Sequence, residues 1–480
     1  MTIAKDAEWV RPKLQLLNPE QMQRIHQYSV WILEKTGVRV ESQTAREIFR
    51  KSGAVRIKND MVCPSSELID YALQTVASSI SIYDRSGKPA FSLGTNQGND
   101  CWFGIGATNN YFEDTATGEI VPFVRQHTQL SARLAGLLPN VDMLSTVGVP
   151  SDVPADKLDL YNVLDMLANT TKPLVLLILE DKNIRHVFDL LSFLHGDIAD
   201  RPFCIPYFNP VTPLLLNAST SDKMIASIDQ RQPIMYSNYS MYGATTPAAE
   251  SGTLALMNAE LLFGLVFGQL VREGCEMILG SLPAAFHMKT MGSYYTPASY
   301  LLNLACAEMM RFYGIPHCGN SGSSNGWQAD LSAAGDLWLN HLTSCIGKVG
   351  CAPFVGGNFD SMVFSPATAV LSDHIIGEAR KFARGFALND EQVNLAGIDD
   401  VGPGGNYLTS EQTLASLAEL RAENPIWPSL TLDAWREQGR PGAGKFVLDR
   451  TQELLDNARK TAPESAELIR KGEEFINSLD

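Results

Sequence analysis

Aromatic rings and carboxamides gather just after short apolar runs in the second half of the chain, where paired acids are scarce. Tyr207 and Asn209 close one run, Tyr236, Asn238 and Tyr239 the next, and His287 follows a third. Asn320 ends a fourth, and Phe354, Asn358 and Phe359 surround the end of a fifth. This set offers no acid–base couple of the kind that hydrolysis requires. Ring faces instead attract a cation that can donate no hydrogen bond, so these residues suit the capture of a quaternary ammonium group. Asn209, Asn238, Asn320 or Asn358 could donate hydrogen bonds to a carboxylate on the same ligand. Trp102, Phe103 and Tyr111, from a Gly- and Asn-punctuated segment upstream, could add a lid. The same rings would also serve simply to plug a core.

Other chemistries fare worse. A zinc site would need H-E-x-x-H or closely spaced Cys and His, whereas only His317 and Cys318 are adjacent, and neighbours on a strand point to opposite faces. No metal site is expected. Ser372, Asp373 and His374 fall on a predicted helix, where successive side chains are about 100° apart, so they cannot assemble a triad among themselves. His341 also falls on a predicted helix and reads as a packed or surface histidine. No residue is singled out as a catalytic acid, base or nucleophile.

The elements that would position the rings follow a rhythm after Pro139. Strand-like runs are predicted at 143–149, 174–180, 203–209, 234–239, 276–281, 317–320 and 351–355, with a short eighth near 362–364. Helices predicted at 157–169, 184–194, 222–230, 249–271, 297–313, 329–346 and 367–386 separate most of them. Alternation on this scale implies a parallel sheet, and seven or eight units favour closure. Neither G-x-G-x-x-G nor G-x-x-x-x-G-K-S/T occurs where a nucleotide-binding sheet would need it. The expectation is an α/β fold, a (β/α)8 TIM barrel over 139–388. It carries an N-terminal helical and β-hairpin extension over 1–138 and a C-terminal capping segment over 389–480. In such barrels the working residues lie at the carboxyl ends of the strands, which is where the rings and amides fall.

Composition sets the outer limits. The 480 residues are 45% hydrophobic and 19% charged, enough to bury a large core, and a formal charge of −15 disfavours a nucleic-acid surface. Eight cysteines are scattered without a C-x-x-C pair and read as reduced thiols. The first residues lack the apolar core of a signal peptide, and the apolar runs at 174–179 and 261–266 are too short to span a bilayer. The expectation is a cytoplasmic protein that binds neither membrane nor nucleic acid and forms a homo-oligomer.

Several blocks add a resemblance. LNPEQMQRIHQYSVWILEKTGVRVESQTAREIFRKSGA near the start is followed in order by YDRSGKPAFSLG, PNVDMLSTVGVPSDVP with NTTKPLV, MNAELLFGLVFGQLV, CAEMMRFYGIPHCG, and VGPGGNYL with QTL close behind. Their ordered combination, from Leu17 to about Trp435, resembles the trimethylamine methyltransferase family. Founding members of that family carry pyrrolysine at the end of the sixth strand. Here the segment from His317 to Asp330 holds ordinary residues throughout, which implies the non-pyrrolysine branch, whose characterised members act on betaines. The sequence departs from the family's Ser-Asp-Ser-Lys segment, and Gln412 stands where many relatives have His.

The resemblance implies transfer of a methyl group from a quaternary amine, such as glycine betaine or proline betaine, to Co(I) of a cognate corrinoid protein. No covalently bound cofactor is expected. The D-x-H-x-x-G spacing of cobalamin-binding proteins is missing around Asp373 and His374, so the corrinoid (cobalamin) would arrive on a partner. Two other readings stand beside this one. A non-catalytic betaine-binding barrel would bind ligand without transfer, and a lyase or hydrolase barrel would work without corrinoid.

Overall fold

The computed structural model describes residues 9–94, 101–417 and 424–479. Eight strands run parallel: β1 (Trp102–Ile105), β2 (Met143–Ser145), β3 (Leu174–Leu176), β4 (Cys204–Phe208), β5 (Ile234–Tyr242), β6 (Met277–His287), β7 (His317–Gly319) and β8 (Cys351–Val355). Each pairs with the next, and β8 pairs back onto β1, closing the barrel. Helices follow each strand: α1 (Arg125–Leu137), α2 (Leu158–Asn169), α3 (Asn183–His195), α4 (Ala218–Asp229), α5 (Glu250–Val271), α6 (Pro297–Tyr313), α7 (Leu331–Gly347) and α8 (Pro366–Arg384). The α/β barrel expected from the alternation is therefore present.

Both ends of the expected strand list shift. The first barrel strand is Trp102–Ile105, a stretch predicted among the hairpins, so the segment at 317 supplies the seventh strand rather than the sixth. Residues Val363–Phe364, predicted as a short eighth strand, instead join a small sheet with Gly357–Asn358, Tyr111–Glu113 and Ile120–Pro122. The run reads as extended in sequence, but its place in the barrel depends on distant contacts made at Gly104. A Cβ there would lie 2.5 Å from Met143 Cγ and 3.0 Å from the Pro353 carbonyl, so the strand needs a residue without a hydrophobic signature.

Additions before and after the barrel cover it. The hairpin of Ser79–Tyr83 and Pro89–Gly94 inserts Ile80, Ile82, Phe91 and Leu93 beneath the interior residues Met143, Val175, Ile205, Met235 and Ile278, sealing the amino-terminal end. Helices Pro19–Lys35, Gln43–Lys51 and Ser66–Thr75 lie over α5. There Leu33, Phe49 and Ile69 join Phe263 and Phe267 in one cluster, and Phe49 stacks on Phe263 with centroids 4.9 Å apart. This explains why α5 is apolar on every side. Although α5 is long and apolar enough to cross a membrane, 83% of its most apolar window is buried against protein.

At the other end of the sequence, helices Ala443–Ala458 and Pro463–Asn477 pack on the outer faces of α1, α2 and α3. Val447, Leu454, Leu455 and Ile476 join the barrel's outer core there, and Arg125 ties α1 to Asp165 and Glu473 at 2.6 Å each. All eight cysteines are buried, and none forms a disulfide.

Candidate active site

Strand alternation decides which side chains enter the barrel. On β5, Met235 and Tyr239 point inward while Tyr236 and Asn238 face the helices; on β4, Tyr207 is interior and Phe208 is packed outward. β8 breaks the alternation, because its register with β1 shifts between Ala352 and Val355. That irregularity puts Cys351 and Phe354, three residues apart, in the same interior cluster.

Above the apolar floor lies a cavity of about 240 Å³ at the carboxyl ends of the strands. This is several times the roughly 30 Å³ share of one liquid water molecule. Its walls are Tyr207, Tyr239, Tyr295 and Phe354, with Leu177 and Leu282 between them and Thr108, Asn209, Asn320, Ser323, Asp360 and Ser361 as polar points. Tyr207 and Phe354 meet edge to face at 5.0 Å and 85°. A second groove of about 650 Å³ lies between residues 9–17 and the ends of α6 and α7. That groove is at the amino-terminal end, where barrels of this type do not perform chemistry.

Asp360 gives the cavity its charge. Tyr239 donates its hydroxyl to Asp360 Oδ2 at 3.2 Å, and Tyr295 lies against the same carboxylate. Burial pushes the Asp360 carboxyl above the usual carboxylate range, against the opposing hydrogen bonds of Tyr295 and Tyr239. Burial likewise raises the phenols of Tyr207, Tyr239 and Tyr295, which therefore stay neutral. None of the described residues lining the cavity is Lys, Arg or His.

The backbone that presents Asp360 is strained. Phe359, Asp360 and Ser361 take φ values of 50°, 53° and 65°, three successive residues in the left-handed region. Each such residue costs about 1–2 kcal/mol. The turn is held by Phe359 N–H to the Gly326 carbonyl at 3.1 Å and Asp360 N–H to the Ser324 carbonyl at 3.3 Å. Strain retained by anchoring of this kind collects where a side chain must be aimed.

Of the thirteen residues proposed from sequence, Tyr207, Asn209, Tyr239, Asn320 and Phe354 line this one cavity. The other eight are placed elsewhere. Trp102 sits at the sealed end, stacked on Phe91 at 5.3 Å, so it forms no lid. Phe103 is wholly buried outside the barrel against His341, and Tyr111 is exposed on the small sheet. Tyr236 packs on α5, where a Cβ at Gly264 would lie 2.1 Å from its ring.

Asn238 and Asn358 have their amides spent on structure. Asn238 Nδ2 donates to Glu260 at 2.7 Å and to the Met257 carbonyl at 3.0 Å, while its Oδ1 accepts from Ser281 at 2.5 Å. Asn358 is engaged by Ser324 and Thr368. His287 bonds Thr290 on an outlying hairpin, and Phe359 turns partly to solvent beside the cavity rather than into it.

Sequence reasoning passed over Tyr295, Asp360, Ser361, Ser323 and Thr108. Asp360 had a signal, since it adjoins Phe359 and is an acid just beyond a strand end. His317 and His341 are buried, and burial pushes both down to about 3; His317 Nε2 accepts from Gly350 N–H at 3.2 Å, and His341 Nδ1 pairs with Ser321 Oγ at 2.9 Å. His374 meets Asn424 and Trp427, while Asp373 accepts from Asn140, so these two serve packing of the tail and of the loop before β2. Among the described residues no three His, Cys, Asp or Glu side chains group as metal ligands.

The closed parallel barrel with helices around it gives the fold class, and comparison with known proteins supplies the family. The family model described as trimethylamine methyltransferase (MTTB) matches residues 4–472, and the chain belongs to that family of methyltransferases. A glycine betaine methyltransferase of Desulfitobacterium hafniense (strain Y51) is 25% identical over 410 residues, covering 84% of each chain. Trimethylamine methyltransferase MttB of Methanosarcina barkeri (strain Fusaro) is 23% identical over 478 residues, covering 98% of this chain and 96% of its own. The crystal structure of the Methanosarcina barkeri monomethylamine methyltransferase (MtmB) superposes with a TM-score of 0.54 at 10% identity, covering 92% of this chain and 88% of that one. At that identity the likeness speaks for the fold.

Proposed function

We propose that this chain moves a methyl group from a quaternary amine to Co(I) of a corrinoid carried by a separate protein. The observation that carries the reading is the cavity in which Tyr207, Tyr239, Tyr295 and Phe354 surround a space bordered by the Asp360 carboxylate. Aromatic faces and one anion hold a cation that lacks any N–H. In the transfer the N–CH3 bond breaks with its electron pair passing to nitrogen, and the methyl carbon gains its new bond from Co(I). A neutral tertiary amine leaves.

No proton is required for that departure, because the nitrogen is already positive. The chain's contribution is then orientation of one methyl toward the mouth and exclusion of water, worth several kcal/mol when the attack line is held. The neutral phenols and the apolar floor suit both tasks.

The surroundings of the mouth favour a macromolecular methyl acceptor. Met288, Met291 and Trp327 are about 70% exposed, at 71%, 70% and 69%, and Leu179, Phe359 and Met362 are exposed as well. All six belong to loops that follow barrel strands, and exposed apolar side chains gathered at one end of a protein mark a docking surface. A cytoplasmic location belongs to the same proposal, in keeping with eight cysteines that form no disulfide. So does a homo-oligomeric assembly.

The test is to incubate the protein with chemically reduced cobalamin and a panel of quaternary amines, following methylcobalamin in the visible spectrum. Product from at least one quaternary amine supports the proposal. Ligand binding without product from any of them would favour a non-catalytic binding barrel instead.

A further inference from the structure

The cavity's charge balance selects among quaternary amines. Within the reading just given, we infer that the substrate is a net cation, a trimethylammonium compound whose remaining substituent is uncharged, rather than a zwitterionic betaine. The juxtaposition of Asp360 with a lining that, among the described residues, holds no Lys, Arg or His carries the inference.

A betaine brings a carboxylate only a few bonds from its ammonium nitrogen. In a space of about 240 Å³ that carboxylate would share the cavity with Asp360, and like charges in one low-dielectric site disfavour joint ionisation. A counter-cation could offset the repulsion, but the described lining residues supply none. Several of the lining's donors are already engaged. Asn209 Nδ2 is committed to the Ser237 carbonyl at 2.8 Å and to the Tyr207 hydroxyl at 3.2 Å. Ser323 and Ser361 hydrogen-bond each other. Asn320 faces the Tyr295 hydroxyl.

For a ligand that is only a cation, the same features are favourable. Asp360 balances its charge, the tyrosine and phenylalanine rings surround its methyl groups, and an uncharged tail demands no buried counter-ion. The strained turn at Phe359, Asp360 and Ser361 holds the carboxylate in place before any ligand arrives.

Isothermal titration calorimetry on the full chain tests this without corrinoid. The probes are tetramethylammonium, choline, glycine betaine, and 3,3-dimethyl-1-butanol, the uncharged carbon isostere of choline. Tetramethylammonium and choline should bind at least about tenfold more tightly than glycine betaine, and choline about tenfold more tightly than its isostere. Asp360→Asn should weaken both cations about tenfold and narrow or reverse their lead over glycine betaine. Glycine betaine binding as tightly as choline, or no binding by any probe, would overturn the inference. The wild-type ranking decides the matter even if the variant fails to fold. Failure of methyl transfer itself is read separately, as the lack of methylcobalamin from amines that do bind.

Discussion

Replacing Asn238 by Ala should unfold the protein more readily and leave substrate recognition intact. The side chain donates to Glu260 at 2.7 Å and to the Met257 carbonyl at 3.0 Å, and it accepts from Ser281 at 2.5 Å, all within a buried layer between β5 and α5. A hydrogen bond to a charged group contributes about 1.5–3 kcal/mol and a neutral one about 1 kcal/mol. Glu260 keeps Thr212 Oγ1 at 2.9 Å and Leu214 N–H at 2.7 Å, so it is weakened rather than abandoned. The expected loss is about 3–5 kcal/mol, of the size seen when one partner of a buried charge is removed. Urea denaturation followed by circular dichroism should show a lower midpoint, while KM for the quaternary amine in the cobalamin assay stays within about twofold, an unchanged Asn238-independent site. A wild-type midpoint together with a raised KM would refute the placement of Asn238 outside the cavity.

Two further outcomes are expected. Tyr239→Ala removes an aromatic wall and a donor to Asp360; a desolvated cation–π contact is worth about 2 kcal/mol, so kcat/KM for a quaternary amine should fall about 30-fold, and an unchanged value would contradict the cage. His317, held neutral by burial and pushed down to about 3, should make the protein acid-sensitive. The unfolded chain takes up that proton near pH 6.5 while the native one does not, so stability falls as pH drops from about 6.5 toward 3, by about 1.4 kcal/mol per unit for this one group. In His317→Gln the slope of urea stability against pH should lose one proton across that window; an unaltered slope would show that His317 titrates normally.

The barrel was legible because strand–helix alternation is a long-range pattern, repeated often enough that one missed strand does not spoil it. The run at 101–105 reads as extended but is assigned to the hairpins, because its place in the barrel is fixed by Met143 and Pro353, far away in sequence. The site was legible by type more than by position. Strand ends were read as lists, yet Tyr236, Asn238 and Tyr239 cannot all face inward on a regular strand. Once Tyr239 is granted the interior, alternation alone sends Asn238 and Tyr236 to α5, where Glu260 and Gly264 are shaped to receive them.

β8 shows the converse, since its register shift brings Phe354 inside against the simple rule, and no residue type in that strand announces the shift. Asp360 carries a signal in its position beyond a strand end, but not in its orientation. An acid in a loop reads as solvated surface until three successive left-handed residues, anchored to the carbonyls of Gly326 and Ser324, turn it back over the mouth. The charge on which the inferred choice among quaternary amines turns is therefore set by backbone conformation in a loop, a property that neither periodicity nor composition encodes.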